Sequence, residues 1–398
     1  MRPKSFFVNG GAGRVLCSIP AFEKYQEDHP DEDFIIVCEG GTDFFKGHPT
    51  LYNKVYDNWH KDLFREKLKD TDIVTTEPYR IWEYYNQKCN LSQAFDIQIN
   101  GKGIRDLQKP TVKLNREELI SGKMVCAEVR QKTNKKKTVV FQPWGRGAAQ
   151  MGNIVSDYSG RSFEYGNVIS ILKRLQKKYS VVLMTEFNIN WEKEGLKDTI
   201  SIPASQGVPI RGWLGIIKEA DVFLGCDSVG QHIAYAMDKP VVAVCGSTYG
   251  VNISYPDNEK FEVLDMGEGL RIYDPIRVTP DEESARVNDG IMAMNDKVES
   301  VIMQEVDKLM KKYYKVSDKV IRLPDEMQQQ VDYTLQMEEE MKKQKASGGQ
   351  MMPMSSLGSK ETKKSNNPNL IPALMADQCD IKPLSKTPSG FADVLKTK

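Results

Sequence analysis

A group of small polar residues and one histidine stands between two apolar runs in the middle of the chain, ADVFLGCDSVGQHIAYAMDKPVVAVCGST over residues 220–248. The apolar runs predict two buried strands, and the spacing between them predicts a short helix beginning near Gly230. Asp227 or Ser228 can cap that helix by accepting hydrogen bonds from its free N–H groups. The same N–H groups, with the partial positive charge of a helix N-terminus, also suit a phosphate.

The second apolar run ends in another turn of small polar residues, Gly246-Ser247-Thr248. Adjacent parallel strands end at one edge of a sheet, where α/β proteins bind ligands, so the two turns can hold one diphosphate between them. His232 falls in the first turn of the predicted helix, at that edge. An N-cap, a core histidine and a tight turn explain the residues singly, whereas the whole set in this order favours a diphosphate site.

Strands that alternate with helices surround this group and predict parallel sheets covered by helices. The first series has strands in SFFVN, DFIIVCEGG, NKVYDNW and DIVTTE, a helix after the glycine turn GGAGR, and a charged helix in HKDLFREKLK. The second has strands in TVVFQPW, SVVLMTE, VFLGCD and PVVAVCG, and helices in GNVISILKRLQKKY, LGIIKEA and QHIAYAM. We therefore expect an N-terminal Rossmann-like domain over residues 1–130 and a second over 131–290.

The remaining residues predict helices over 291–345 and a tail over 346–398. The pattern of residues 290–316 is that of a long helix, which can pack back across both halves. From about residue 346 the chain is rich in Ser, Gly, Met, Pro, Lys and Asn and poor in aliphatic residues. Such a composition cannot bury enough apolar surface to offset the entropy of ordering, so we expect a disordered tail, with a protein partner as its candidate ligand.

Charge and composition exclude several classes of protein. Lys and Arg number 55, equal to Asp and Glu, so no global field attracts nucleic acid or an anionic membrane. The seven cysteines show neither a CxxC pair nor metal-like spacing, which predicts free thiols in a reducing compartment and no metal site. No apolar run approaches the roughly 20 residues of a membrane span, and the N-terminus lacks a secretory apolar region. We expect a cytoplasmic protein.

The central group resembles a motif of the family-9 glycosyltransferases, the heptosyltransferase-like group. That motif is Asp-Ser/Thr-Gly-x-x-His-x-Ala-x-Ala, followed by Lys-Pro, an apolar strand and Gly-Pro/Ser-Thr. Here it corresponds to residues 227–236, Lys239-Pro240 and 246–248, except that Val229 replaces the glycine and Gly230 follows it. The resemblance covers residues 138–256 well and residues 6–60 weakly.

This resemblance implies the GT-B arrangement, in which two Rossmann-like domains face each other across a cleft. The second domain would bind a nucleotide-diphosphate sugar and the first an unknown glycan or small acceptor, with inversion at the sugar and no further cofactor. Arg161 matches a phosphate contact, and Glu186 matches an acidic residue near the nucleotide ribose. The leaving diphosphate would be neutralised by the helix at Gly230, the Ser247 and Thr248 N–H groups, Arg161 and His232, rather than by a metal.

One departure from the family concerns catalysis. Where the family has a Gly-Asp pair whose aspartate is the general base, this chain has Gly13-Arg14. Arginine stays protonated and cannot be a base, but it can bind an anionic acceptor or the donor diphosphate. Asp43, and after it Glu39, are the nearest carboxylates by topology and are the predicted replacements.

Three other interpretations stay open. NGGAGR is an incomplete dinucleotide fingerprint, with Leu16 where the third glycine belongs, and is weak support for a nicotinamide enzyme. A catalytically degenerate protein would bind nucleotide sugars and recruit partners through residues 326–398. A transferase acting on modified nucleic-acid bases is also compatible with the fold, although the neutral net charge disfavours it.

Overall fold

The computed structural model describes residues 2–196, 200–201, 208–271, 288 and 290–314, within a compact unit that comprises Met1–Val316. The predicted disordered tail and the helix-prone segment after residue 325 lie outside the described residues. Within the described ranges, no helix combines the length and apolar composition needed to cross a membrane.

The first half is built on a four-stranded parallel sheet. Its strands are β1 (Lys4–Val8), β2 (Phe34–Cys38), β3 (Val55–Asp57) and β4 (Asp72–Thr76), in the order β3-β2-β1-β4. Alternate residues of each strand face opposite sides of the sheet, so Phe6 and Val8 enter the main core while Phe7 packs on the other face. All four predicted strands are confirmed. The predicted charged helix between β3 and β4 is reduced to a π-helical turn, Phe64–Leu68.

Helices α1 (Ala12–Asp28), α2 (Trp82–Tyr85) and α3 (Leu91–Asn100) belong to this half, and α4 (Arg116–Thr133) follows them in the chain. α1 begins directly after the glycine turn at the end of β1 and packs along α3. Gly41, with φ of +79°, lets the chain after β2 approach α1 closely, because a Cβ there would lie 3.1 Å from the Ala12 Cα. The glycines thus bring the ends of β1 and β2 next to the start of α1.

The second half contains a six-stranded parallel sheet and a hairpin. The sheet strands are β5 (Thr138–Gln142), β8 (Ser180–Leu183), β9 (Ile200–Ser201), β10 (Val222–Cys226), β11 (Val241–Cys245) and β12 (Phe261–Asp265), in the order β12-β11-β10-β5-β8-β9. The hairpin pairs β6 (Ala149–Met151) with β7 (Ile154–Ser156). The helices are α5 (Tyr165–Leu175), α6 (Ile210–Glu219), α7 (Val229–Ala236), α8 (Gly250–Ile253) and α9 (Asp296–Tyr313).

Two hydrophobic cores hold these layers together. One is continuous between the halves, since it contains Phe6 and Phe22 of the first half together with Phe223 and Ile233 of the second. The other belongs to the second half and includes the buried face of α9. The long predicted helix is therefore confirmed, but its buried side chains pack on the second sheet rather than across both halves.

Helix α4 runs across the predicted boundary at residue 131, and it packs on the second half. Asn115 caps it by accepting from the Glu118 N–H at 2.8 Å, while the Glu118 side chain accepts from the Asn115 N–H. Its closest neighbour is α6, where Gly122 meets Gly215 backbone to backbone. The boundary itself stays a prediction.

The contact between α4 and α6 leaves no room for a side chain at Gly122. A Cβ on Gly122 would lie 2.2 Å from the carbonyl carbon and oxygen of Gly215, so Gly122→Ala must push the helices apart. We expect a loss of at least about 2 kcal/mol in the free energy of unfolding, measured by urea denaturation. Gly166→Ala is the control, since a Cβ on that exposed glycine of α5 meets nothing within 4 Å. Equal stability of both variants would contradict the close contact.

Candidate active site

The N-terminus of α7 lies at the carboxyl edge of the second sheet, as predicted, but its cap is different. Neither Asp227 nor Ser228 accepts a hydrogen bond from the helix N–H groups. Instead the Gly230 N–H donates to Oε1 of Gln142 at 3.0 Å, and Nε2 of Gln142 donates to the Ser228 hydroxyl at 3.1 Å. The Gly230 N–H, which was predicted to bind a phosphate, is thus already hydrogen-bonded to a side-chain amide at the end of β5.

Gly230 is also enclosed. A Cβ at this position would lie 2.3 Å from the Gln142 Oε1 and 2.5 Å from the Phe223 Cζ. The glycine therefore allows α7 to pack against β5 and β10. Any substitution of Gly230 would disturb the fold and could not test ligand binding alone.

The turn formed by Gly246, Ser247 and Thr248 is likewise held from within the protein. The Ser247 N–H donates to the Gly160 carbonyl at 3.0 Å, and the Ser247 hydroxyl donates to the Ser159 carbonyl at 2.6 Å. Arg271 donates to the carbonyls of Gly246 and Thr248 at 2.9 and 2.7 Å. Among the groups of this turn, the Thr248 hydroxyl is buried with no hydrogen-bond partner in the described part of the chain.

Arg161 lies beside the start of α7, where the sequence predicts a phosphate contact. Its Nη1 is 3.9 Å from the Asp227 carboxylate, and its Nε donates to the Ser159 hydroxyl at 3.2 Å. Burial opposes the charge, but the carboxylates of Asp227 and Asp157 outweigh it and raise the pKa of Arg161. The side chain of Arg161 remains 35% exposed, against 9% for Asp227. A buried carboxylate thus orients a guanidinium that solvent can still reach.

His232 is buried where α1 of the first half meets α7 of the second. Its Nδ1 lies 3.0 Å from the Tyr255 hydroxyl, and a Cβ on Gly13 would lie 3.4 Å from its Cδ2. Burial lowers the pKa of His232 to about 4, although the charge of Asp227 opposes that shift. The imidazole is therefore neutral near pH 7.

Arg14 extends from the first turn of α1 toward the end of β4. Its Nη2 donates to the Thr76 carbonyl at 3.3 Å and lies 3.5 Å from the Glu77 carboxylate. The guanidinium stands 4.8 Å from the centre of the Tyr79 ring, a cation–π distance. Its buried Nε has no hydrogen-bond partner within the described ranges. The predicted cation therefore lies at the edge of the first sheet, incompletely paired.

A third arginine, which the sequence analysis did not identify, stands opposite. Arg146 is exposed and follows Gly145 in the chain. Gly145 lies against the start of α7, because a Cβ on Gly145 would be 3.5 Å from the Asp227 carbonyl and the Ser228 hydroxyl. A Cβ on Gly11 would lie 3.3 Å from Nη1 of Arg146. In the sequence, Arg146 is marked only as a basic residue between two glycines after a predicted strand. That pattern is too common to identify a functional residue.

The candidate general bases lie at different distances from this group. The Glu39 carboxylate accepts a hydrogen bond from the Gly10 N–H, beside Arg14. The Asp43 carboxylate pairs with Lys46 and is 41% exposed. Glu77, which the sequence analysis missed, pairs with Arg14. Glu186 is exposed just beyond β8, at the same sheet edge as α7 but two strands from β10.

Comparison with known proteins shows the fold. No family model matches the sequence, and no curated protein matches it. The structure is similar to that of a family-9 glycosyltransferase from Veillonella parvula, with a TM-score of 0.56 and 11% identity over 78% of this chain and 98% of that one. It is also similar to E. coli ADP-heptose LPS heptosyltransferase II, with a TM-score of 0.52 and 11% identity over 78% and 99% of the two chains. The predicted heptosyltransferase-like GT-B fold is thus confirmed.

The buried imidazole of His232 should make stability depend on pH. The pKa of His232 is lowered in the folded state, so below the unfolded value of about 6.5 the unfolded chain binds a proton that the folded chain refuses. Above pH 6.5 the ionisation of His232 does not affect the free energy of unfolding. As the pH falls from 6.5 to 4, it lowers that free energy progressively, by about 3 kcal/mol in total. We expect His232→Gln to remove this part of the pH dependence in urea titrations.

The matched control for this measurement is His60→Gln, which replaces an exposed imidazole. Its profile between pH 7 and pH 4 should follow that of the wild type. If His232→Gln also follows the wild type, the imidazole is not held neutral by burial.

Proposed function

We propose that this protein is a glycosyltransferase that moves a sugar from a nucleotide-diphosphate donor to a hydroxyl group of an anionic acceptor, with inversion. The observation that carries the proposal is the arrangement of Arg14, Arg146 and Arg161. Arg14 and Arg146 lie beside the adjacent glycines 10 and 11, Arg146 follows Gly145, which lies against the start of α7, and Arg161 lies 3.9 Å from Asp227. Three arginines therefore lie along the carboxyl edges of the two sheets.

Arginine side chains, rather than backbone N–H groups, bind the diphosphate in this proposal. The N–H groups of Gly230 and Ser247 already donate within the protein. Guanidinium groups form charge-assisted, often bidentate hydrogen bonds with phosphate, and Arg161 is held in place by Asp227. The similarity to an ADP-heptose LPS heptosyltransferase supports a nucleotide sugar as the donor. No metal is needed to neutralise the leaving group in this scheme.

The reaction then proceeds as a single displacement. The acceptor oxygen attacks the anomeric carbon as the bond from that carbon to the diphosphate oxygen breaks, and the diphosphate leaves with the electron pair. Fixed cations stabilise the negative charge that develops on the leaving group. Neutral His232 and Tyr255 position the start of α7, and a carboxylate receives the acceptor proton. Arg14 holds the anionic part of the acceptor.

Glu39 is the proposed general base, in place of the predicted Asp43. Its carboxylate is bound to the Gly10 N–H, directly beside Arg14, whereas the Asp43 carboxylate pairs with Lys46. A base must lie within hydrogen-bond reach of the proton that it removes, and an acceptor held by Arg14 above the glycine turn brings its hydroxyl to Glu39.

Donor binding tests the proposal directly. A nucleoside diphosphate or nucleotide sugar at 100 times its dissociation constant should stabilise the protein by about 2.7 kcal/mol. We expect thermal shift with ADP, UDP, GDP and CDP and their sugar conjugates to identify one nucleotide. Arg146→Ala should weaken its binding by at least about tenfold, since a hydrogen bond to a charged group is lost.

Arg65→Ala is the matched control, because Arg65 is equally exposed but lies on the π-helical turn of the first half. Its affinity should equal that of the wild type. Failure of every nucleotide to shift the melting temperature would exclude the donor site. Binding without sugar transfer to any anionic acceptor would instead favour the catalytically degenerate protein.

The identity of the base is a separate prediction. Glu39→Gln should lower kcat by about 10²–10⁴, the usual effect of losing a general base, and should leave donor affinity unchanged. Asp43→Asn is the control and should retain activity. A loss confined to Asp43→Asn would show that the sequence prediction was right and that the exposed, Lys46-paired carboxylate turns into the site.

A further inference from the structure

One carboxylate organises the loop that carries Arg161. This loop, residues 157–164 between β7 and α5, begins with Asp157. Oδ1 of Asp157 accepts hydrogen bonds from the Ser159 N–H, at 2.8 Å, and from the Ser159 hydroxyl. The Asp157 carbonyl accepts from the Gly160 N–H at 3.3 Å. An aspartate side chain that accepts from the N–H two residues later closes a tight turn, so Asp157 fixes the shape of the loop.

The other oxygen of Asp157 reaches the segment that carries Arg146. The Ser162 hydroxyl donates to Oδ2 of Asp157 and accepts from the Gly145 N–H at 3.0 Å. The chain just beyond Arg146 passes directly over the carboxylate, since a Cβ on Gly147 would lie 2.8 Å from Oδ1. The two oxygens of one side chain therefore hold two separate segments of the site together.

Arg161 is held by the same network. Its Nε donates to the Ser159 hydroxyl at 3.2 Å, and that hydroxyl donates in turn to Asp157. The Ser159 carbonyl accepts from the Ser247 hydroxyl at 2.6 Å, which ties the loop to the turn at residues 246–248. Since Asp157 makes no direct ion pair with Arg161 in the described part of the chain, its effect on the position of the guanidinium passes through Ser159.

The charge of Asp157 does not explain its place in a site for an anion. A carboxylate near such a site repels the ligand and weakens its binding. Three donors nevertheless surround this carboxylate, namely the Ser159 N–H and the hydroxyls of Ser159 and Ser162. Because a carboxylate accepts on both oxygens, one side chain can hold two segments in a fixed relation. The contribution of Asp157 to the site is therefore geometric.

We propose that Asp157 is a positioning residue of the donor site, which fixes the placement of Arg146 and Arg161 relative to each other for binding of the diphosphate. The inference rests on the proposed function, because that function assigns both arginines to the donor. Side chains that bind a ligand have to be held within about 0.5 Å of their productive geometry by supporting hydrogen bonds. Asp157 supplies this support through Ser159 and Ser162, rather than through contact with the donor.

Asp157→Ala tests the proposal through the sign of its effect. ADP, UDP, GDP and CDP are titrated into the full chain by isothermal titration calorimetry, and the nucleotide that binds the wild type most tightly is used for the variants. The substitution removes a negative charge near an anionic ligand, so by charge alone the variant should bind the nucleotide as tightly as the wild type or more tightly. Loss of positioning predicts the opposite, a dissociation constant raised by at least about tenfold, since the arginines lose hydrogen bonds to a charged group.

Asp157→Asn separates geometry from charge. The asparagine Oδ1 can still accept from Ser159 and its amide group can donate to Ser162, so the dissociation constant should return to within about threefold of the wild-type value. Asp57→Ala is the matched control, because Asp57 accepts from the Trp59 N–H at 2.8 Å in the same kind of turn in the first half. Its nucleotide affinity should equal that of the wild type.

Ser162→Ala is a narrower variant that cuts only the link to the Gly145 N–H. Its effect should depend on Arg146: nucleotide affinity should fall by about two- to tenfold in the wild-type background and stay unchanged in the Arg146→Ala background. An equal loss in both backgrounds would show general damage to the fold and would contradict positioning.

The proposal is also overturned if Asp157→Ala binds the nucleotide as tightly as the wild type or more tightly, or if Asp157→Asn loses as much affinity as Asp157→Ala. In each of these cases the wild type still binds a nucleotide, so the donor site stands without Asp157. Failure of all four nucleotides to bind the wild type would instead remove the donor site, and this proposal with it.

Discussion

The packing of α1 against α7 is the contact on which the rest of the structure depends. α1 starts at the end of a strand in the first sheet, and α7 starts at the end of a strand in the second. Gly13 and His232 meet in their first turns, and the apolar residues behind them merge into one core. Because both helices start at carboxyl strand ends, this contact brings the carboxyl edges of the two sheets face to face, the edges at which α/β proteins generally bind ligands.

A buried ion pair fixes the same arrangement from the other side. Arg211 at the start of α6 forms a bidentate pair with Glu118 of α4 and donates to the carbonyls of Asp43 and Lys113. Burial raises the pKa of Glu118, but the hydrogen bonds from Arg211 and the Asn115 N–H, together with the positive charges of Arg211 and Lys46, lower it by a larger amount, so the net pKa is lowered. Removing one partner of such a pair leaves a buried charge, which typically costs about 3–5 kcal/mol. The turn after β2 is thereby tied to the second half.

The electrostatics of the candidate site follow from this geometry. The imidazole of His232 is neutral because α1 and Tyr255 exclude water from it. The carboxylate of Asp227 lies beside the guanidinium of Arg161, Arg14 is paired with Glu77, and Arg146 is exposed. A neutral buried imidazole and three arginines thus lie along the carboxyl edges of the two sheets, which suits an anionic ligand better than a cationic one.

The strands and most of the helices of this protein follow closely from its sequence. Apolar runs bounded by glycine and polar turns identified the parallel strands, and the segment GNVISILKRLQKKY was identified as the helix that is now α5. The order of Asp227, Ser228 and His232 after β10 placed them at a ligand-binding edge. These features depend on local propensity and periodicity, which a single sequence contains.

Only the tertiary structure decided which polar groups remain available for a ligand. Gln142 takes the Gly230 N–H and Ser159 accepts from Ser247, and each of these pairs is 88 residues apart in the chain. Arg146 reaches Gly11 only because the two halves pack as they do. Hydrogen bonds of this kind depend on the relative placement of distant segments, which no local pattern encodes. The sequence therefore determined the strands, the helices and the sheet edge at which the polar residues lie. Packing between the halves determined which hydrogen-bonding groups remain free at that edge.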